Sequence, residues 1–280
     1  MWYVAFLVLV LVATDTIPPF FGGVAIAVIV QWLRSAGVAS PPNKKRVATA
    51  VVSVVGNIGS GKSTALRLYA KDAPGDVAIV QEPVDEWAPL LDQMTSNQDA
   101  WIDLQVVAAS FYATLVAPAI ADVLMQERDL MSVALFAGNR KGIATLLLAL
   151  VECGNIILPD VVVHIATAWE SCLARIQERN QAGDQFAGNL GAEYLCALND
   201  RHQRLLEWYA AQGCFIITLR NDDTAVIGLS EAREQALAAR KEGPRRKVTK
   251  AMMASLLHLL WSPLPEPAAK PATTGINEID

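Results

Sequence analysis

The stretch that decides the fold runs from Val47 to Thr64. Val47–Val55 (VATAVVSVV) is a β-branched run, and Gly56-Asn57-Ile58-Gly59-Ser60-Gly61-Lys62-Ser63-Thr64 follows it directly. The second piece satisfies G-x-x-x-x-G-K-[ST], with a strand pattern before it and a helix pattern after it. Gly56, Gly59 and Gly61 let the backbone curl so that successive N–H groups point inward. A helix beginning near Lys62 adds its positive N-terminal end. Lys62 brings a point charge to the β- and γ-phosphates, and Ser63 brings a hydroxyl to Mg²⁺. Such a loop specifies a nucleoside triphosphate and leaves the acceptor open.

Outward from this loop, strands alternate with helices. Val77–Val80, Val123–Gln126, Asp160–Ala166 and Cys214–Leu219 read as four further strands. Helical periodicity covers Ser63–Lys71, Asp99–Ala121, Ile143–Cys153, Trp169–Asn180 and Ala192–Gln212. This alternation predicts an α/β fold, a doubly wound five-stranded parallel sheet with helices on both faces. Ligands of such sheets bind at the carboxyl ends of the strands.

Composition sets the outer limits. The chain has 280 residues, which suits one α/β core spanning 47–242 with appended ends. Hydrophobic residues make up 53% and charged ones 18%, so the bulk of the chain is not intrinsically disordered. A net charge of -5 argues against a protein that coats nucleic acid, and no nucleic-acid partner is expected. Cys153, Cys172, Cys196 and Cys214 lack C-x-x-C spacing and read as free thiols. His164, His202 and His258 are too scattered for a metal site.

The excess apolarity lies in residues 1–34, where Asp15 and Arg34 are the charged residues. Two apolar stretches, Trp2–Thr14 and Ile17–Leu33, flank Asp15 and Pro18-Pro19. Each is shorter than the roughly 20 residues of a straight transmembrane helix. A membrane anchor, as one broken span or a short hairpin, competes with a signal peptide and with a buried extension or mis-assigned start. The anchor is the favoured expectation. Arg34, Lys44, Lys45 and Arg46 follow it, which would place the main domain on the cytosolic side. Residues 35–46 read as a linker. Beyond Gly243-Pro244, a basic run (Arg245, Arg246, Lys247, Lys250) precedes the apolar stretch Ala251–Trp261, either a helix on an anionic membrane or one packed on the domain. Pro263–Asp280 reads as a disordered tail.

Several polar residues fall where a P-loop enzyme needs them. The second strand ends Gln81-Glu82-Pro83-Val84-Asp85-Glu86-Trp87. A carboxylate there can accept a proton from an attacking hydroxyl, or can be a solvated strand-end charge. Trp87 can wall a planar substrate or be core. Gln105, on a long helix, can pair with a base edge or face solvent. Arg128, after the third strand, can support the transferring phosphate or form a salt bridge.

GNIGSGKST, EPVDEW, the following Gln105, Glu127-Arg128, PDVVVHI, Arg175-Ile-x-x-Arg179 and Glu193-Tyr194-Leu195 together resemble the deoxynucleoside kinases, the deoxycytidine, deoxyguanosine and mitochondrial-type thymidine kinase group. The likeness covers roughly Val47–Leu219. It implies ATP-dependent phosphorylation of a deoxynucleoside 5′-hydroxyl, a nucleotide-salvage reaction, with ATP and Mg²⁺ as cofactors. Glu82 would be the general base. Trp87 would line the base pocket, Gln105 would read the base, and Phe136 would stack on it. Arg128 would support Glu82 and the 5′-oxygen. Arg175 and Arg179 would close over the triphosphate. The resemblance also suggests a homodimer through helices near Ala100–Ala121 and Ile143–Leu150.

The departures from that pattern are specific. After Arg179 comes Asn180-Gln181-Ala182-Gly183-Asp184, so Gln181 stands where a second lid arginine is usual and Asp184 is the carboxylate left near the sugar 3′-hydroxyl. Met94-Thr95 occupy the region of a tyrosine that shares that role. Asp129 replaces a serine, and Val133-Ala134 stand where a second arginine is usual. The changes and the hydrophobic N-terminus suit a divergent viral member. They also leave open a second reading, a non-catalytic structural or accessory protein that keeps the kinase fold. A kinase acting on a nucleoside monophosphate fits less well.

Overall fold

In the computed structural model, residues 50–93, 98–114, 121–137, 140–154, 156–181, 190–220 and 225–264 are described. The apolar segment 1–34, the linker 35–46, Met94-Thr95, Asp184 and residues 265–280 lie outside them. Among the described residues no helix is long and apolar enough to cross a membrane.

Five strands, β1 (Ala50–Val55), β2 (Val77–Val80), β3 (Val123–Glu127), β4 (Val161–Ala166) and β5 (Phe215–Arg220), form one sheet in the order β2-β3-β1-β4-β5. Every neighbouring pair is parallel. β1 lies at the centre, and all six of its residues are buried. A near-continuous apolar run is what a parallel strand covered on both faces requires. The edge strands β2 and β5 are less covered. Val55 stands opposite His164. Because all strands run the same way, residues 56, 81, 128 and 167 leave the sheet at one edge, where ligands of open α/β sheets bind.

Alternation along each strand sorts side chains between two cores. On one face Val52, Val54, Val163 and Ile165 pack with Leu66 and Tyr69 of α1 (Lys62–Lys71) and with Leu229 and Ala232 of α8 (Ala225–Glu242). The other face is larger. It carries α3 (Gln98–Thr114), α4 (Leu130–Ala137), α5 (Lys141–Cys153), α7 (Ala192–Ala211) and α9 (Lys250–Leu259). α2 (Val84–Gln93) and α6 (Trp169–Gln181) feed Trp87, Cys172 and Ile176 into the same core.

Three features differ from the sequence expectation. β2 ends at Val80 as expected, but Trp87, read with the end of that strand, lies on α2, and Glu82 lies in the short irregular stretch between the two. Pro83 explains the break: it has no N–H for a ladder, and its carbonyl accepts from Glu86 and Trp87 N–H to start the helix. β3 runs one residue further than expected, so Glu127 belongs to it. α4 and α8 are additional helices. All eight residues of α4 are buried, so it shows no amphipathic period to read.

Residues 245–264 are built into the fold. Ile157 and Lys247 form an antiparallel bridge, and Leu158 N–H donates to Arg246 O while Val248 N–H donates to Ile156 O. Thr249 caps α9 by accepting from Met252 N–H at 3.2 Å. Met253, Leu256, Leu257 and Leu260 are buried in the larger core, and α9 packs along α5.

Candidate active site

The phosphate half is made mainly of backbone. Gly59 has φ +78°, and a Cβ there would stand 2.8 Å from Cys172 O. At Gly56 a Cβ would meet both Ile165 O and Ser60 Oγ at 2.8 Å. Only glycine fits either place, so the curl is dictated by packing as well as by φ. Gly61 is the N-cap of α1 and makes no side-chain cap, so the first-turn N–H groups face the loop's hollow. Asn57 ties the loop to α7, its Nδ2 donating to Leu195 O at 2.9 Å, while its Oδ1 accepts from Ile58 N–H. Ser60 is fully buried, Thr64 exposed.

Lys62 is buried, and its Nζ donates to Gly56 O at 3.1 Å and Asn57 O at 3.0 Å. Burial, and next the Arg128 cation, push its ammonium down to about 8. Ser63 Oγ donates to Glu127 Oε1 at 2.7 Å, and Gln81 Nε2 donates to Ser63 O at 2.8 Å. A hydroxyl beside a carboxylate is a hard oxygen pair of the kind Mg²⁺ takes alongside substrate phosphates and water. The glycine cradle, the uncapped helix end, the buried lysine and this pair therefore fit a magnesium–triphosphate. Among the described residues there is no group of three or more His, Cys, Asp or Glu able to hold a metal by itself.

The other half is made of side chains. Arg128 leaves β3 with φ +60°, a costly conformation for a residue with a Cβ. That turn aims its Nη1 at both oxygens of Glu82, at 2.9 and 3.0 Å. Tyr112 on α3 donates its hydroxyl to Glu82 Oε1 at 2.9 Å and lies equally near Glu127 O. Burial is the largest single influence and opposes the Arg128 cation, but Glu82, Tyr112 and Glu127 together outweigh it and the net shift is upward. Burial and then Glu82 hold the Tyr112 phenol well above its ordinary value, so it remains a neutral donor. Gln105 is buried on α3, and with Ala108, Ala109 and Tyr112 it falls on one helical face by spacing. Trp87 packs edge-on to Phe111 with ring centroids 5.8 Å apart, and the Arg128 guanidinium lies 5.0 Å over Phe136. Thus Glu82, Arg128 and Phe136 meet, with Trp87 on α2 beside α3.

Arg175 on α6 donates to Gly59 O and Ser60 O, each at 3.3 Å, which puts it directly on the loop. Arg179, one turn later, is exposed, as is Gln181. Asp129 is buried as the cap of α4. It accepts from Ser132 N–H at 2.9 Å and from the Tyr209 hydroxyl at 2.7 Å, and burial raises its carboxyl. Its place is therefore structural. Val133 and Ala134 lie inside the buried α4, where a guanidinium would have no solvent. Burial lowers His164 to about 4 and His202 to about 3, so both stay neutral behind the loop. Cys172 and Cys214 are buried free thiols and Cys196 an exposed one.

The residues that the sequence reading missed are Glu127, Tyr112 and Gln81. Glu127 was visible in the Glu127-Arg128 pair without a role. Tyr112 had a signal in its seven-residue spacing from Gln105.

A P-loop beside a partly buried carboxylate–guanidinium pair fits the class of P-loop phosphotransferases. The sequence profile of deoxynucleoside kinases matches residues 52–242, more than half of the chain. The chain is 28% identical over 194 residues to human mitochondrial thymidine kinase 2, covering 60% of this chain and 68% of that protein. The chain belongs to the deoxynucleoside kinase family. It is accordingly a nucleoside kinase by family, and that family works with ATP and Mg²⁺.

Proposed function

We propose that this chain transfers the γ-phosphoryl group of ATP to the 5′-hydroxyl of a deoxyribonucleoside, with Glu82 as general base. The observation that carries the proposal is the Glu82–Arg128–Tyr112 cluster, joined to the P-loop through Glu127 and Ser63. Oε1 of Glu82 receives both Tyr112 and Arg128, whereas Oε2 has the single longer contact to Arg128. Oε2 is thus the oxygen better placed to take the 5′-hydroxyl proton as the O–P bond forms. Arg128 steadies the carboxylate and faces the developing charge. Lys62, the N–H groups at the start of α1, Arg175 and Arg179 neutralise the phosphates from the opposite side. Ser63 and Glu127 would hold Mg²⁺, which when bound supplies further positive charge to those oxygens. Trp87, Gln105 and Phe136 would receive the base, and Asp184 the sugar.

The assembled cluster favours catalysis over a purely structural role, since a scaffold has no need of a carboxylate, a lysine and a hydroxyl on one edge. Thymidine is the first substrate to test, because the human relative's name carries it. Membrane attachment through residues 1–34 with the kinase on the cytosolic side, and a dimer through α3 and α5, belong to the same proposal. α9 lies against α5, so the pairing surface there includes α9.

The test is steady-state 5′-monophosphate formation by the full chain with ATP and Mg²⁺. The four deoxynucleosides are compared with their ribose counterparts. Turnover of at least one deoxynucleoside, lost in Lys62→Ala, is the expected result. A folded chain that binds ATP and turns over none would leave the structural reading.

A further inference from the structure

Arg201 sits on α7, 3% exposed, and among the described residues no carboxylate pairs with it. Its Nη1 donates to Leu135 O at 2.5 Å, and its Nη2 donates to Ser262 O and, at 3.2 Å, to Ser262 Oγ. Leu135 O belongs to the last turn of α4 and Ser262 follows the end of α9, so both acceptors stand at the negative ends of helices. A cation with five donors in a rigid fork suits two such ends at once. Burial lowers the group to about 10, which leaves it charged at neutral pH.

The last turn of α4 also carries Phe136, whose ring lies under Arg128, and α4 starts just after the Arg128 turn. The segment that Arg201 clasps lies beyond residues 52–242, the stretch the family profile matches. We propose that Arg201 is a positioning residue that makes the C-terminal segment 245–264 part of the nucleoside half of the site, by locking the end of α4 and hence Phe136 and Arg128. Loss of the clasp frees α4 at its site end while the P-loop, held by Asn57 and Arg175, stays in place. The inference rests on the reading of Arg128 and Phe136 as nucleoside contacts.

The test uses the full chain and the variants Arg201→Met, Arg201→Lys, Phe136→Ala and Lys250→Ala. Lys250 pairs with Glu152 on the exposed side of the same segment and serves as control. KM for the nucleoside and for ATP are measured separately, together with Tm. Arg201→Met is expected to raise the nucleoside KM by about tenfold or more, a change of about 1.4 kcal/mol, with the ATP KM within about twofold. Arg201→Lys should recover part of the loss, and Lys250→Ala should match the parent. A lower Tm with both KM values unchanged, or equal changes in both, would overturn the inference. If Arg201→Met does not fold, Ser262→Pro removes the Oγ acceptor and the Ser262 N–H that holds this turn to Leu260 O, loosening the clasp without a change in α4 or α7, and the same split is expected of it. Should Phe136→Ala leave the nucleoside KM unmoved, the underlying reading fails. Should it raise KM while Arg201→Met does not, the inference alone fails.

Discussion

The phosphate half of the site rests on consecutive residues, 56–64, whereas the nucleoside half draws Glu82, Tyr112 and Arg128 together across up to 46 positions. The first is held by backbone: two glycines that no other residue can replace, an uncapped helix end and a lysine folded over its own loop. The second is held by a partly buried ion pair and a buried phenol. A backbone device tolerates the loss of a side chain without unfolding. A partly buried ion pair tolerates it less well, because removing one partner strands the other. The two halves should therefore respond differently to mutation, one in rate and the other in rate and stability together.

Lys62→Ala should separate the two most widely. Phosphoryl transfer is expected to fall by about 10³-fold, in line with loss of a preorganised charge at the transferring group. Its Tm should stay near that of the parent, since the Nζ contacts only loop carbonyls. A collapse of Tm would show that the loop needs its lysine to fold. Arg128→Met tests the opposite half. It strands the Glu82 carboxylate, and unfolding free energy from denaturant titration should drop by about 1.5–3 kcal/mol, less than for a fully buried pair because both side chains keep some exposure. Tyr112→Phe keeps the ring and deletes one donor. Here about 1.5–3 kcal/mol is at stake, shared between stability and kcat, because the acceptor is charged. A fall in kcat without a matching fall in stability would tie that loss to the Glu82 contact and not to packing.

The smallest expected effect is in pH. Lys62 is lowered from its ordinary value to about 8, so its charge in the free protein is lost as pH rises through 8. ATP binding should weaken above that pH by at most about tenfold per unit, and near pH 8 calorimetry should detect proton uptake on binding. For folding the sign is opposite. Between about 8 and the unfolded value the unfolded chain holds the extra proton, so the Lys62 contribution to stability rises with pH. A flat ATP affinity across this window would contradict the buried, depressed lysine.

The same contrast explains what the sequence made legible. Lys62, Ser63 and the glycines were readable because their chemistry lies in one local motif with a strand before it and a helix after it. The five strands were readable because each is an apolar run, β1, β3 and β4 buried and the edge strands β2 and β5 apolar though less covered. α4 was not, since all eight of its residues are buried and no period marks it. α2 was hidden by Pro83, which reads as the end of a strand and serves as the start of a helix. Ser63–Glu127, 64 positions apart, and Arg201–Ser262, 61 apart, are products of the tertiary fold, and no local spacing announces them. Resemblance supplied roles for Glu82 and Arg128. The contact of Arg128 Nη1 with both Glu82 oxygens, the Tyr112 hydroxyl and the positive φ of Arg128 came from the structure.

The most direct test of the account is the single-turnover rate of Glu82→Gln, with substrate binding measured alongside. Gln keeps the shape and the acceptor oxygen for Tyr112 but cannot take a proton at neutral pH. The account expects ATP and nucleoside still to bind and 5′-monophosphate formation to slow by about 10²–10⁴-fold. A rate equal to that of the parent, in a variant that binds both substrates, would contradict Glu82 as the base and with it the central role of the side-chain half.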